Sequence, residues 1–131
     1  VHLTPAGGCR YHAVISIDKK FEGQGKNAIF AAFASSSEVK HAVAVDADID
    51  VYDSQDVEWA ISTRCQAARD VFVIPNAMGN KLDPSSNDGI SDKMGIDATV
   101  PLAEEAGKYE KITIPGLDEV NLSDYLDGAR M

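Results

Sequence analysis

Short apolar runs alternate along the chain with stretches in which apolar residues recur every three to four positions, and together they predict a layered α/β fold. Ala13-Val14-Ile15-Ser16-Ile17 has the character of a strand buried on both faces. Gly23 to Ala34 follows, with Ile29, Phe30 and Phe33 at helical spacing. Val39 to Val45, rich in β-branched residues, predicts a second strand. Asp53 or Ser54 then stands where a helix cap is needed, ahead of a helix from about Gln55 to Cys65. Asp56 and Glu58 suit the positive end of its dipole, and Val57, Ala60, Ile61 and Cys65 form its apolar face. Asp70 to Pro75 predicts a third strand, which the proline should stop.

Strand, helix, strand, helix, strand is the order of a mostly parallel sheet with right-handed crossovers, so the expected fold is a small three-layer α/β sandwich, βαβαβ. From Asn76 to Lys111 the pattern fades. Gly79, Pro84, Gly89, Gly95, Pro101 and Gly107 punctuate it, and a long loop over residues 76–110 is expected, a feature that in a compact domain signals function or partner contact. Lys111 to Ile114 reads as one more short strand. Leu122, Tyr125 and Leu126 share a face of a helix expected within the tail, residues 117–131. One domain over residues 1–131 accounts for the whole length.

Composition narrows the function. The chain is 44% apolar and 25% charged, an ordinary globular balance, and 131 residues suffice for a core without disulfide or metal. Twelve basic residues against twenty-one acidic ones give a net charge of −9, which repels nucleic acid and an anionic membrane surface. No apolar run reaches the ~18 residues of a membrane span and no signal-peptide order is present, so a cytoplasmic protein is expected. Cys9 and Cys65 form no CxxC and are expected to be reduced, partly buried thiols. The chain starts at Val1 and soon enters a strand, which suggests a piece of a longer protein.

Three stretches invite a chemical reading. Asp46, Asp48 and Asp50 sit at alternate positions at the end of the second strand, with Asp53 behind them, and carboxylates so spaced can converge on a hard cation where the backbone turns. An EF-hand is excluded, because the turn glycine is missing and Val57 occupies the place of the bidentate glutamate. The plainer reading is helix capping and a solvated sheet edge. Gly23-Gln24-Gly25-Lys26 lies between strand and helix, but Lys20 and Asn27 stand where a phosphate-binding loop needs Gly and Ser or Thr. Lys93 and Asp97, in Ser91 to Thr99, read as a surface ion pair. His2, His12 and His41 show no metal-ligand spacing and read as structural. The residues alone leave open a stand-alone dimeric α/β interaction module, or a metal- or nucleotide-binding domain using Asp46, Asp48 and Asp50.

Ordered blocks carry the reading further. Ala13 to Lys19 with Gly23-Gln24 and a helix, His41 to Asp50, Asp56 to Ala60, Thr63-Arg64-Cys65, Arg69-Asp70-Val71, Ile74-Pro75, Leu82 to Ser85 and Ser91 to Thr99 occur in sequence. Together they resemble the C-terminal domain of UbiD-type decarboxylases over about Ala13 to Pro101. The resemblance implies a carboxy-lyase that decarboxylates aromatic, heteroaromatic or α,β-unsaturated acids reversibly and without oxidation. It implies prenylated FMN with Mn²⁺ and K⁺ in the full-length enzyme, none of them bound by this part alone. The catalytic acid, base and metal ligands of such enzymes lie upstream, so no catalytic residue and no metal ligand is carried over. This domain is then expected to serve oligomerisation, as a dimer or higher, and to wall the cleft beside the upstream flavin-binding domain. The resemblance sets Asn80, Lys81 and Leu82 against the substrate pocket, and Ser37 and Glu38 near the flavin. By the rule that α/β folds bind ligands at the carboxyl ends of parallel strands, the loop after Pro75 is expected at that edge.

Overall fold

A computed structural model describes residues 1–104 and 106–121. Its sheet has five strands: β1 (His2–Leu3), β2 (His12–Ile17), β3 (His41–Asp46), β4 (Val71–Met78) and β5 (Ile90–Ala98), in the spatial order β1-β2-β3-β5-β4. Strands β2, β3 and β5 are parallel, and the two edge strands run antiparallel to their neighbours. Helix α1 (Gln24–Ser35) covers one face, packing Ile29 and Phe33 on Ala13, Ile15, Ala42 and Ala44. Helix α2 (Ser54–Arg64) covers the other, with Val57 and Ala60 on Val14, Val43, Val45 and Ala98. The period-2 alternation of β2 and β3 thus supplies both cores. Each fully buried Val or Ile contributes about 1.5–3 kcal/mol. A one-turn helix α3 (Ala67–Asp70) leads into β4.

The α/β sandwich, the first two strands and both long helices match the sequence expectation, and Asp53 caps α2 by accepting from Gln55 N at 2.9 Å. Four features differ. The third predicted strand is β4, an antiparallel edge, so the sheet is mixed. It continues through Pro75 to Met78, because an edge strand tolerates a missing N–H. The ladder shifts register between Ile74 and Ala77, where Asn76 adopts a left-handed φ of 54° and donates its N–H to Asp92 Oδ1 at 3.0 Å.

The expected long loop over 76–110 contains β5, an interior strand. Finally, Lys111 to Ile114 forms no strand, and Ile112 is 98% exposed. Leu117–Glu119 is a single 3-10 turn, while Leu122, Tyr125 and Leu126 lie outside the described residues.

Strand β5 escapes a hydrophobic reading because its face toward α1 is Ser91, Lys93, Gly95 and Asp97, all buried. Gly95 lets Phe72 and Ile29 close over the sheet: a Cβ there would lie 2.3 Å from Phe72 Cζ and 2.9 Å from Ile29 Cγ2. Gly95→Ala is therefore expected to destabilise the fold by about 1–3 kcal/mol through overpacking. Denaturant midpoints at constant slope would measure it.

Candidate functional site

The residues singled out from sequence fall at opposite ends of the sheet. At the carboxyl ends of the parallel strands, the aspartates of the strand end meet a buried arginine. Arg64, 3% exposed, lies at the end of α2. Its Nη1 donates to Asp46 Oδ2 at 2.8 Å and to Asp48 Oδ1 at 2.9 Å, and its Nη2 to Asp48 Oδ2 at 2.6 Å. The guanidinium also stacks 5.1 Å from the Trp59 ring centroid. Val100 N donates to Asp46 Oδ2 at 2.7 Å. Hydrogen bonding to Arg64, opposed by burial, holds the Asp48 carboxyl below the usual carboxylate range. Asp50 turns to its own loop and accepts from Tyr52 N at 2.9 Å.

These carboxylates are spent on internal partners and do not converge on a cation. Among the described residues no group of three or more His, Cys, Asp or Glu side chains is arranged to hold a metal ion. Gly23, with φ 85°, makes a plain glycine turn into α1. Lys93 and Asp97 are buried and separate rather than a surface pair: Lys93 donates to main-chain carbonyls, and Asp97 Oδ1 accepts from Thr99 Oγ1 at 2.7 Å. Cys9 is exposed, contrary to expectation, and only Cys65 is half-buried.

The other edge, at the amino ends of β2, β3 and β5, gathers the remaining candidates. Since β4 runs antiparallel, the loop that follows it (residues 79–89) lies here and not at the carboxyl edge. The connection from α1 to β3 (residues 36–40) ends at the same edge. The structure joins the two candidate segments, because Asn80 Nδ2 donates to Glu38 Oε1 in a short hydrogen bond. Asn80 Oδ1 accepts from Leu82 N at 2.8 Å, fixing the amide. Arg10, which the sequence reading passed over, comes within 3.8 Å of Glu38 Oε1. Leu82 is 75% exposed, and Lys81 pairs with Asp88 at 2.8 Å, with both side chains largely in solvent. Ser37 offers its carbonyl to Lys93 at 2.8 Å.

Beside this group, Lys40 Nζ donates to Asp83 Oδ2 at 2.8 Å and to Ser85 Oγ. Lys40 foremost, helped by the N–H and hydroxyl of Ser85, pulls the Asp83 carboxyl down to about 2. His12 and His41 are paired across the first rung of β2 and β3, with ring centroids 6.2 Å apart, and they line a cavity of about 350 Å³ with Tyr11, Lys40 and Asp83. Burial foremost lowers both imidazole pKa values; the neighbouring His41 ring adds to this at His12, and Lys40 adds to it at His41, where Asp83 opposes. The signal for this edge was weak in sequence, because its members come from four separated segments.

Fold and sequence agree with the comparisons. The model of the 3-octaprenyl-4-hydroxybenzoate carboxy-lyase C-terminal domain matches residues 1–98, and the chain belongs to this UbiD family of C-terminal domains. An anhydromevalonate phosphate decarboxylase of Aeropyrum pernix is 55% identical over 116 residues, 88% of this chain and 26% of that protein. The UbiD-class enzyme HmfF from Pelotomaculum thermopropionicum, solved in complex with FMN, superposes with a TM-score of 0.88 at 67% identity, over 95% of this chain and 28% of that one. An evolved dimeric form of HmfF in complex with prFMN gives 0.74 at 56% identity, over 95% of this chain and 25% of that one. The chain spans about a quarter of the length of these relatives.

The Asp83 geometry fixes a pH dependence. Its folded pKa, about 2, lies below the ordinary 3.8, so its contribution to stability is complete above about pH 4 and is lost as pH falls toward 2. Asp83→Asn should lower the denaturation midpoint at pH 5 and leave a smaller difference from wild type at pH 2. A difference that stays constant over that range would count against the Lys40 pairing.

Proposed function

We propose that this chain is the oligomerisation and cleft-wall domain of a UbiD-type decarboxylase. The full-length enzyme would release CO₂, reversibly and without oxidation, from aromatic, heteroaromatic or α,β-unsaturated acids in the cytoplasm. The observation that carries the reading is the hydrogen bond between Asn80 and Glu38, which puts the expected pocket-lining and flavin-proximal segments on one edge. That edge, at the amino ends of the parallel strands, is the one that faces the flavin domain in this reading.

Among the described residues, those on this edge do not form a cofactor cradle. Glu38 is an anion, which disfavours a flavin phosphate beside it, and the Ser37 carbonyl is already taken by Lys93. Prenylated FMN, Mn²⁺ and K⁺ are therefore assigned to the upstream domain. The role left to this chain is to shape the cleft and exclude water. Lys81, in an exposed ion pair with Asp88, adds a positive charge that favours acids bearing a second anionic or polar group. Ile112 and Ile114, 98% and 66% exposed, join Leu117 as apolar surface for self-association. A stable dimer of this kind would bury on the order of 1,200–2,000 Å².

Three experiments test the reading. The full-length enzyme, loaded with prenylated FMN and Mn²⁺, should release CO₂ from at least one of anhydromevalonate phosphate, 3,4-dihydroxybenzoate, cinnamate and terephthalate. The 131-residue chain with the same additions should release none, and turnover by it would overturn the assignment of catalysis to the upstream region. Lys81→Ala in the full-length enzyme should lower kcat/KM for terephthalate or the phosphate ester several-fold more than for cinnamate, a difference of about 1 kcal/mol. An unchanged preference would put Lys81 in solvent with no part in recognition. Sedimentation should show self-association at tens of micromolar.

A further inference from the structure

Lys93 occupies the interior strand β5, under α1, with 5% of its surface exposed. Its ammonium donates to the carbonyl oxygens of Ser37, at 2.8 Å, and Val39. It also lies over the Phe33 ring, 5.5 Å from the centroid. Among the described residues it makes no ion pair, and burial lowers its pKa. One residue further on, Met94 N–H donates to Lys40 O at 2.9 Å. Two successive residues of β5 thus hold three carbonyls of the connection between α1 and β3.

A buried ammonium is a costly way to fill space, and an apolar side chain of similar length would avoid the desolvation. What the lysine adds is direction. Its two hydrogen bonds fix the Ser37–Glu38 and Val39–Lys40 peptide planes, which bracket Glu38 and Val39, with their carbonyls turned inward. The Glu38 side chain is then held at the edge, where Arg10 and Asn80 meet it. Asn80 in turn anchors the hairpin loop through the N–H of Leu82 and, by its own carbonyl, the N–H of Asp83.

We infer that Lys93 is a positioning residue for the cleft wall: from strand β5, beneath α1, it fixes the backbone around Glu38, and through Glu38 and Asn80 the 79–89 loop. The inference rests on the reading of this edge as the side that faces the flavin domain. Lys93 itself is too deep to touch substrate, so its effect is transmitted through Glu38.

The test compares Lys93→Met and Lys93→Gln in the full-length enzyme, by amide hydrogen exchange and by steady-state decarboxylation of anhydromevalonate phosphate and 3,4-dihydroxybenzoate. In Lys93→Met, exchange at Glu38 to His41 should quicken at least about tenfold, the factor expected when hydrogen bonds to a charged donor are lost. Amides in the middle of β2 and β3 should stay protected. KM should rise several-fold while kcat changes less, and Lys93→Gln, which keeps a donor, should recover part of both effects. Unchanged exchange at Glu38 to His41 with unchanged KM would overturn the inference. So would a uniform loss of protection across the sheet in both variants, with only the active fraction falling, since that is the mark of a merely structural lysine. Exchange is read whether or not the enzyme turns over. A wild-type enzyme inert on these two acids and on cinnamate and terephthalate as well would therefore sink the decarboxylase reading, while the exchange comparison still decides what Lys93 holds.

Discussion

Everything in this domain hangs on the entry of Ile90–Ala98 between β3 and β4. That strand is the last in sequence among the described residues yet interior in the sheet, and its side toward α1 is Ser91, Lys93, Gly95 and Asp97. A buried strand with such a face is stable only when each polar group finds a partner and each gap is closed. Lys93 finds main-chain carbonyls, Asp97 finds the hydroxyl and N–H of Thr99, and Gly95 admits Phe72 and Ile29. Asp97 also crowds Gly25, where a Cβ would lie 2.3 Å from its carboxylate, so the first turn of α1 is seated directly on β5. The strand is specified by mutual satisfaction and by close approach more than by apolar bulk.

The two ends of the sheet have been put to different uses. At the carboxyl ends, where α/β folds commonly bind ligands, Arg64 neutralises Asp46 and Asp48. That arrangement ties the end of α2 to the loop after β3 and consumes the acidic groups a cation would need. At the amino ends, the antiparallel return of β4 adds a hairpin loop that a purely parallel sheet would lack there. Its side chains interlock with the connection before β3 through Asn80 and Glu38, and through Lys40 and Asp83. The direction of one strand therefore decides which end of the domain has an elaborated surface.

The parts of the fold legible in the sequence were those with an apolar period. Ala13 to Ile17, Ile29 with Phe33, Val39 to Val45 and the Asp53 cap all announced themselves through burial pattern or capping chemistry. Strand β5 did not, because Ser, Lys, Gly and Asp at alternate positions look like a loop. Pro75 misled in a related way: it is forbidding inside a sheet and tolerable at an edge, and edge position is a tertiary fact. Lys111 to Ile114 has strand-like alternation but no neighbour to pair with among the described residues. For the site, family resemblance singled out Ser37, Glu38 and Asn80 to Leu82. Their adjacency across 42 positions came only from the folded chain, as did the part of Arg10. Lys93 was read as a surface charge because sequence gives no measure of the burial that makes it unusual.

Strand β4 ends the sheet with eight residues whose outer backbone edge has no partner strand among the described residues, and Val73 and Met78 on it are 58% and 71% exposed. An edge of that length and character would ordinarily serve as a template for a stranger's strand, the first step toward amyloid-like stacking. Pro75 removes one of the donors such a template would offer, and the left-handed Asn76 turns the backbone out of register just after it. The irregularity that hid the strand's true length from the sequence is thus also what spoils it as a seed for aggregation.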